Sequence, residues 1–306
     1  MRRRLVAFAL VVLGLGAAGA AMLFVLDFLA DPPTASCSAP ATRFGPTTEN
    51  FNHREVAVHF TCEGAVQAGT LYMPSGPGPY AAAIWIHGAG PATRLRFGGF
   101  FADLVNAGVA VFSYDKRGVG ESEGSCCPGD NGHFNLLSAD VVGAVAALAS
   151  RDDVRKDRIG LFGASQAGWI APKAAAMSGK VAFIALASAT PLTERLTNLY
   201  ERLAQGDEGQ LSRDQISQRL ASAGPSGFDP LPYWRRTSAP SLWMFGTADA
   251  RVPVPESMAP LAQLRKEGKD ITVVTFPDAG HGLLDSPPTA ADAPTTLINW
   301  IVKRVR

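Results

Sequence analysis

With 306 residues, 18% of them charged, and a formal net charge of +1, the chain has room for one large α/β domain plus an appendage, or for two small domains. It carries no basic field to attract nucleic acid and no block of like charge that would mark an interaction tail. The 47% apolar content is inflated by the first thirty residues.

Three arginines at 2–4 precede an uncharged run over residues 5–26, which is interrupted at Asp27 and closed by Asp31-Pro32-Pro33. Such a run makes roughly 33 Å of helix, enough to cross the hydrocarbon core of a bilayer. Small residues around Ala18-Gly19-Ala20 also fit a cleavage site, so membrane anchor and cleaved signal peptide both stand. Either one leaves the arginines on the cytoplasmic side and exports the chain beyond Asp31. The rest of the protein is then expected to be membrane-anchored outside the cytoplasm, or secreted if the segment is cleaved. Residues 32–53, rich in Pro, Ser, Thr and Ala, read as a linker to a body over 54–306.

Alternation over residues 55–61 and 66–72 predicts two strands, joined at Glu63-Gly64 as a hairpin. From Tyr80 onward the rhythm changes. Apolar runs of strand length at 81–86, 109–114, 159–162, 181–187, 241–245 and 271–276 alternate with helical segments. Runs apolar throughout suit parallel strands covered on both faces. The helices between them carry apolar stripes: Phe97, Phe100, Phe101 and Leu104; Leu137, Val141, Ala144, Val145 and Leu148; and a final one through Leu297, Ile301 and Val305. Residues 191–237 break the alternation. Leu196, Leu199, Tyr200 and Leu203 suggest one helix and 211–220 another, followed by a loop from Gly224. An insertion there would sit over the carboxyl edge of the sheet as a small cap.

Four cysteines, Cys37, Cys62, Cys126 and Cys127, allow three pairings that spacing does not resolve. An oxidising compartment favours a disulfide, Cys37 with Cys62 being one candidate.

The chemistry centres on Gly163-Ala164-Ser165-Gln166-Ala167-Gly168, where an apolar strand runs into a helix. A serine on such a tight turn is exposed for nucleophilic attack, and its neighbours two before and two after must be tiny. Gly163 meets that demand. Ala167 stands where glycine is usual, with the glycine one place later. A serine nucleophile needs a base, an orienter and oxyanion donors. Of the five histidines, His281 lies in a Gly-flanked loop between the last strand and the last helix, and is the candidate base. Asp249, also after a strand end, is preferred over Asp278 as orienter. The backbone N–H of Gln166 and of Ala89, in the glycine loop His87-Gly88-Ala89-Gly90, are the candidate oxyanion donors. His87 is read as a ring that holds this loop. Asp115 and Arg117 are read as a buried ion pair bracing the turn below the serine. Trp169, Tyr200, Phe228, Tyr233 and Trp234 are candidate walls of a substrate pocket, each equally able to be core.

These residues together resemble the α/β-hydrolase superfamily. The resemblance is carried by the loop at 87–90, Asp115-Lys116-Arg117-Gly118-Val119-Gly120-Glu121-Ser122, the turn at Ser165, the segment 246–253 with Asp249, and Gly280-His281. It covers roughly residues 56–306 and is similar to the branch of serine esterases, acyl-thioesterases and prolyl-oligopeptidase-like enzymes. It implies an α/β-hydrolase fold: a mostly parallel sheet with helices on both faces, an N-terminal antiparallel hairpin and a small helical cap. It also implies a serine hydrolase that needs neither metal nor cofactor. A small-molecule carboxylic ester is the expected substrate, because no acidic pair in the cap offers to grip a peptide amino terminus and no second large domain screens peptides. A thioesterase or a peptidase is the alternative among enzymes, and a catalytically inactive binding protein on the same fold is the alternative of another class.

Overall fold

The computed structural model describes residues 35–125, 131–284 and 292–306, without the side chains of residues 35, 36, 131 and 132. The apolar run at 5–26, Cys126 and Cys127 lie outside the described residues. Among the described residues no helix is long and apolar enough to cross a membrane.

In chain order the elements are α1 (Ala35–Ser38), β1 (Thr42–Glu49), β2 (His53–Cys62), β3 (Ala65–Pro74), β4 (Tyr80–Ile86), α2 (Gly99–Asn106), β5 (Val109–Tyr114), α3 (Asn131–Ala149) and β6 (Val154–Ala164). There follow α4 (Ala167–Ser178), β7 (Ile184–Ala187), α5 (Glu194–Gln205), α6 (Arg213–Ala223), α7 (Leu231–Arg236), β8 (Ser241–Gly246), α8 (Val254–Lys266), β9 (Ile271–Phe276) and α9 (Ala293–Val305). The described strands form one sheet in the order β1-β2-β3-β5-β4-β6-β7-β8-β9. The first three strands pair antiparallel and join antiparallel to β5; from β5 to β9 every pairing is parallel.

The apolar runs are buried on both faces, as their composition requires. Along β4, Ala82, Ile84 and Ile86 enter one core while Ala81, Ala83 and Trp85 enter the other. Trp243 and Phe245 of β8 alternate in the same way with Leu242 and Met244. The first core is closed by α3, α4 and α8 through residues such as Val141, Ile170 and Leu261, the second by α2 and α9 through Phe101, Leu297 and Ile301. A third, smaller cluster joins α5 to α6: Tyr200, Leu203, Ile216 and Leu220.

The hairpin forms where the alternation places it, turning at Glu63 and Gly64, both at positive φ. The linker over 32–53 is corrected. Residues 42–49 add an edge strand to β2, and Cys37 is disulfide-bonded to Cys62. The strand is hard to see in the sequence because it is an edge strand, exposed along its outer half, with a register shift between Phe44 and Thr47 that accommodates Pro46. The loop expected at Gly224 runs over residues 224–230, and the short helix α7 that follows it packs Trp234 on Trp243 at 4.9 Å between ring centroids.

Candidate active site

Each candidate side chain sits just beyond the carboxyl end of a parallel strand. Ser165 follows β6 at φ 56°, a left-handed conformation that costs energy for a residue with a Cβ. Gly163 makes the turn possible. A Cβ there would lie 2.4 Å from the Ile86 carbonyl oxygen and 2.7 Å from the Ala167 Cβ. Ala167, which stands where glycine is usual, is accommodated because Gly163 has already vacated that space. The glycine displaced to position 168 has its own use, since a Cβ on it would lie 2.9 Å from the Thr190 carbonyl oxygen. The helix α4 thus sits tight against the strand ends with one glycine on each side of the turn.

Asp249 and His281 come from the loops after β8 and β9. Gly246 lets them meet, because the 279–280 backbone crosses where its Cβ would be, 2.2 Å from the Ala279 carbonyl oxygen. The Ala248 N–H donates to Ala279 and the Thr247 N–H to Phe276. The Asp249 carboxylate is buried and accepts from the Arg251 N–H at 2.8 Å and the Val252 N–H at 3.0 Å. His281 Nδ1 lies 2.9 Å and 3.1 Å from its two oxygens. A carboxylate can only accept, so Nδ1 carries the proton and Nε2 is left as the basic nitrogen. Asp278 does not contact the ring; its backbone N–H donates to Thr247 Oγ1. Two contacts set the His281 loop and the Asp249 loop: Ser188 Oγ donates to the His281 carbonyl at 2.5 Å, and the Tyr200 hydroxyl donates to the Asp249 carbonyl at 2.9 Å.

Ser165 and His281 line one cavity of about 290 Å³ with Gly88, Ala89, Gln166, Trp169, Thr190, Thr197, Asn198, Glu201, Arg251 and Val252. The backbone N–H groups of Ala89 and Gln166 have no acceptor among the described residues. An ideal Cβ on Gly88 would lie 3.6 Å from the Ser165 Cβ, so the glycine loop runs against the serine. Both unpaired amides belong to residues that line the same cavity as Ser165.

Other sequence expectations change. Of the expected pocket walls only Trp169 lines the cavity. Tyr200 is buried beneath it, holding the Asp249 loop. Tyr233 takes a hydrogen bond from the buried Lys173 and stacks on Phe228, and Trp234 lies in the core. Apolar composition does not say which face of a helix turns to the cavity, and it is the polar Thr197, Asn198 and Glu201 of α5 that do so. Asp115 and Arg117 do not pair with each other. Asp115 accepts the N–H groups of Arg94 and Glu121, while Arg117 forks onto Asp140 of α3. Burial pushes the Asp140 carboxyl up, and this guanidinium opposes it. His87 does brace its loop. Its Nδ1 accepts from the Trp85 indole at 3.1 Å and its Nε2 donates to the Tyr114 carbonyl at 2.7 Å. Burial pushes the imidazole down to about 4, so it stays neutral. Lys116, which the sequence does not single out, lies between this loop and Gln166.

A model of the prolyl oligopeptidase family matches residues 101–306. The acylamino-acid-releasing enzyme of Arabidopsis thaliana is 21% identical over 225 residues, which is 71% of this chain and 29% of that protein. The chain therefore spans less than a third of that relative's length. Among solved structures, acetyl xylan esterase 1 from Thermoanaerobacterium superposes with a TM-score of 0.62 at 18% identity, covering 86% of this chain and 88% of the other. The acylaminoacyl peptidase of Pyrococcus horikoshii gives 0.61 at 16% identity, covering 83% and 42%. The fold is the α/β-hydrolase fold.

Proposed function

This chain belongs to the prolyl oligopeptidase family, and from that premise and the geometry of its site we propose a serine hydrolase that cleaves carboxylic esters through an acyl-enzyme on Ser165. The observation that carries the reading is a single cavity holding a serine at positive φ, two unpaired amides beside it, and an imidazole whose Nδ1 is fixed by a buried carboxylate.

In this mechanism Ser165 Oγ attacks the ester carbonyl carbon and passes its proton to His281 Nε2. Asp249 holds the tautomer and stabilises the imidazolium. The Gln166 and Ala89 amides take the oxyanion. The tetrahedral adduct collapses, the C–O bond breaks, and the alcohol leaves with the proton from His281. Water, activated by the same imidazole, then frees the acid and the serine.

An ester is favoured over a peptide by the cavity itself. At about 290 Å³ it is at the lower end for small-ligand sites. Among the described residues that line it the one carboxylate, Glu201, is paired with Arg251 at 2.6 Å, so none of these offers an unpaired acid to an amino terminus. Helices α5 to α7 act as a cap whose first helix supplies the polar wall. Short p-nitrophenyl esters test the reading: the wild type turns them over and Ser165→Ala does not. Equal rates for the two proteins would end it, and faster turnover of acyl thioesters or aminoacyl amides would move the substrate class.

The apolar run at 5–26 supports tethering to a membrane or export across one. Carbonate extraction of membranes separates the two, since a tethered protein stays in the pellet and a cleaved one is recovered, shortened, in the soluble fraction.

A further inference from the structure

The oxyanion hole is assembled from two separate pieces of chain, the loop after β4 and Gln166 in the turn between β6 and α4, and something must keep them in register. Lys116 joins them. It is buried, and its Nζ donates to the carbonyl oxygens of Gly88 at 2.9 Å and Gly90 at 3.0 Å and to Gln166 Oε1 at 2.8 Å. Gly88 and Gly90 flank Ala89, and Gln166 supplies the other amide. The three donors of the ammonium thus meet three acceptors, two on one piece of the hole and one on the other.

We propose that Lys116 is a positioning residue of the oxyanion hole, fastening the glycine loop to the serine turn so that the Ala89 and Gln166 amides stay aimed at one point. The proposal rests on the serine-hydrolase reading of the site. Lys116 does not touch the substrate carbonyl; it acts through the two segments that do.

The electrostatics agree. All three acceptors are neutral oxygens, so the buried ammonium has no carboxylate in its hydrogen-bond shell among the described residues, and burial pushes it down to about 8. An uncompensated buried charge is costly. Here it lies against both halves of a site where negative charge appears only in the transition state, and a fixed cation there stabilises that state more than the ground state.

Lys116→Met keeps the length of the side chain and removes the ammonium, while Gln166→Leu keeps the backbone amide and removes only the far end of the link. For short p-nitrophenyl esters, Lys116→Met is expected to lose about 10²-fold in kcat with KM within about threefold. A boronic acid that forms a tetrahedral serine adduct should lose affinity in parallel. Gln166→Leu is expected to lose about tenfold, and the double variant to be no worse than Lys116→Met, because both cut the same bridge. A folded Lys116→Met protein with kcat and boronate affinity within about threefold of wild type overturns the proposal. If Lys116→Met does not fold, Gln166→Leu decides, and unchanged kcat there overturns it equally. A folded wild type that takes no fluorophosphonate at Ser165 removes the serine-hydrolase reading, and the proposal with it.

Discussion

Replacing Asp249 by Asn separates the orientation of His281 from the shape of the site. Oδ1 of Asp249 accepts the amides of Arg251 and Val252 at 2.8 Å and 3.0 Å. The asparagine oxygen must stay there, or two buried N–H groups lose their acceptor. Its NH2 then takes the Oδ2 position, 2.9 Å from His281 Nδ1. Two donors cannot face each other, so the ring adopts the tautomer with its proton on Nε2 and can no longer accept one from Ser165. The imidazolium also loses its counter-charge. A change of tautomer in such a triad lowers kcat by about 10⁴, or ~5 kcal/mol of transition-state stabilisation. Initial rates on p-nitrophenyl acetate are the assay, with thermal unfolding showing that the variant is folded, and KM should move little. A folded Asp249→Asn protein with kcat within about tenfold of wild type would refute the orientation argument.

Other outcomes come from the packing. Gly163→Ala forces a Cβ to within 2.4 Å of the Ile86 carbonyl and should yield insoluble or inactive protein, whereas Ala167→Gly should retain activity; a soluble, active Gly163→Ala protein would show that the turn relaxes. His87 is pushed down from 6.5 to about 4 by burial, so its contribution is complete above the unfolded value and is lost as pH falls towards the folded one. Urea unfolding should lose roughly 3 kcal/mol through this group across that window, and His87→Asn should lack that part of the slope. The Cys37–Cys62 disulfide closes a span of 25 residues, and Cys37→Ser/Cys62→Ser should lower unfolding stability by about 3 kcal/mol while esterase kcat holds. Equal denaturation midpoints with and without the bridge would show that α1 and β1 contribute nothing through it.

The parts of the molecule that are legible in the sequence are those where one physical demand dominates. Residues such as 81–86, Ala-Ala-Ala-Ile-Trp-Ile, have to be a strand covered on both sides, because nothing in them is polar enough to face water. Ser165, Asp249 and His281 stand out because each comes after such a strand, where side chains can meet above the sheet edge. The features that stay hidden depend on partners far along the chain. Arg117 has a carboxylate close by in sequence, Asp115, but the one it binds comes from α3, 23 residues away. Lys116, next to both, reads as an ordinary surface charge, and only the fold wraps the loop at 88–90 and Gln166 around it. Tyr200 reads as a wall of the cavity because it is aromatic on an amphipathic helix. The cavity is met by the polar side of that helix, and the tyrosine serves the loop of Asp249 from below.

Reaction of the folded protein with a fluorophosphonate, followed by intact mass and peptide mapping, tests the central claim most directly. A single adduct on Ser165, absent from Ser165→Ala and strongly slowed in Asp249→Asn, is the predicted result. No adduct, or an equal one on a different serine, would contradict it.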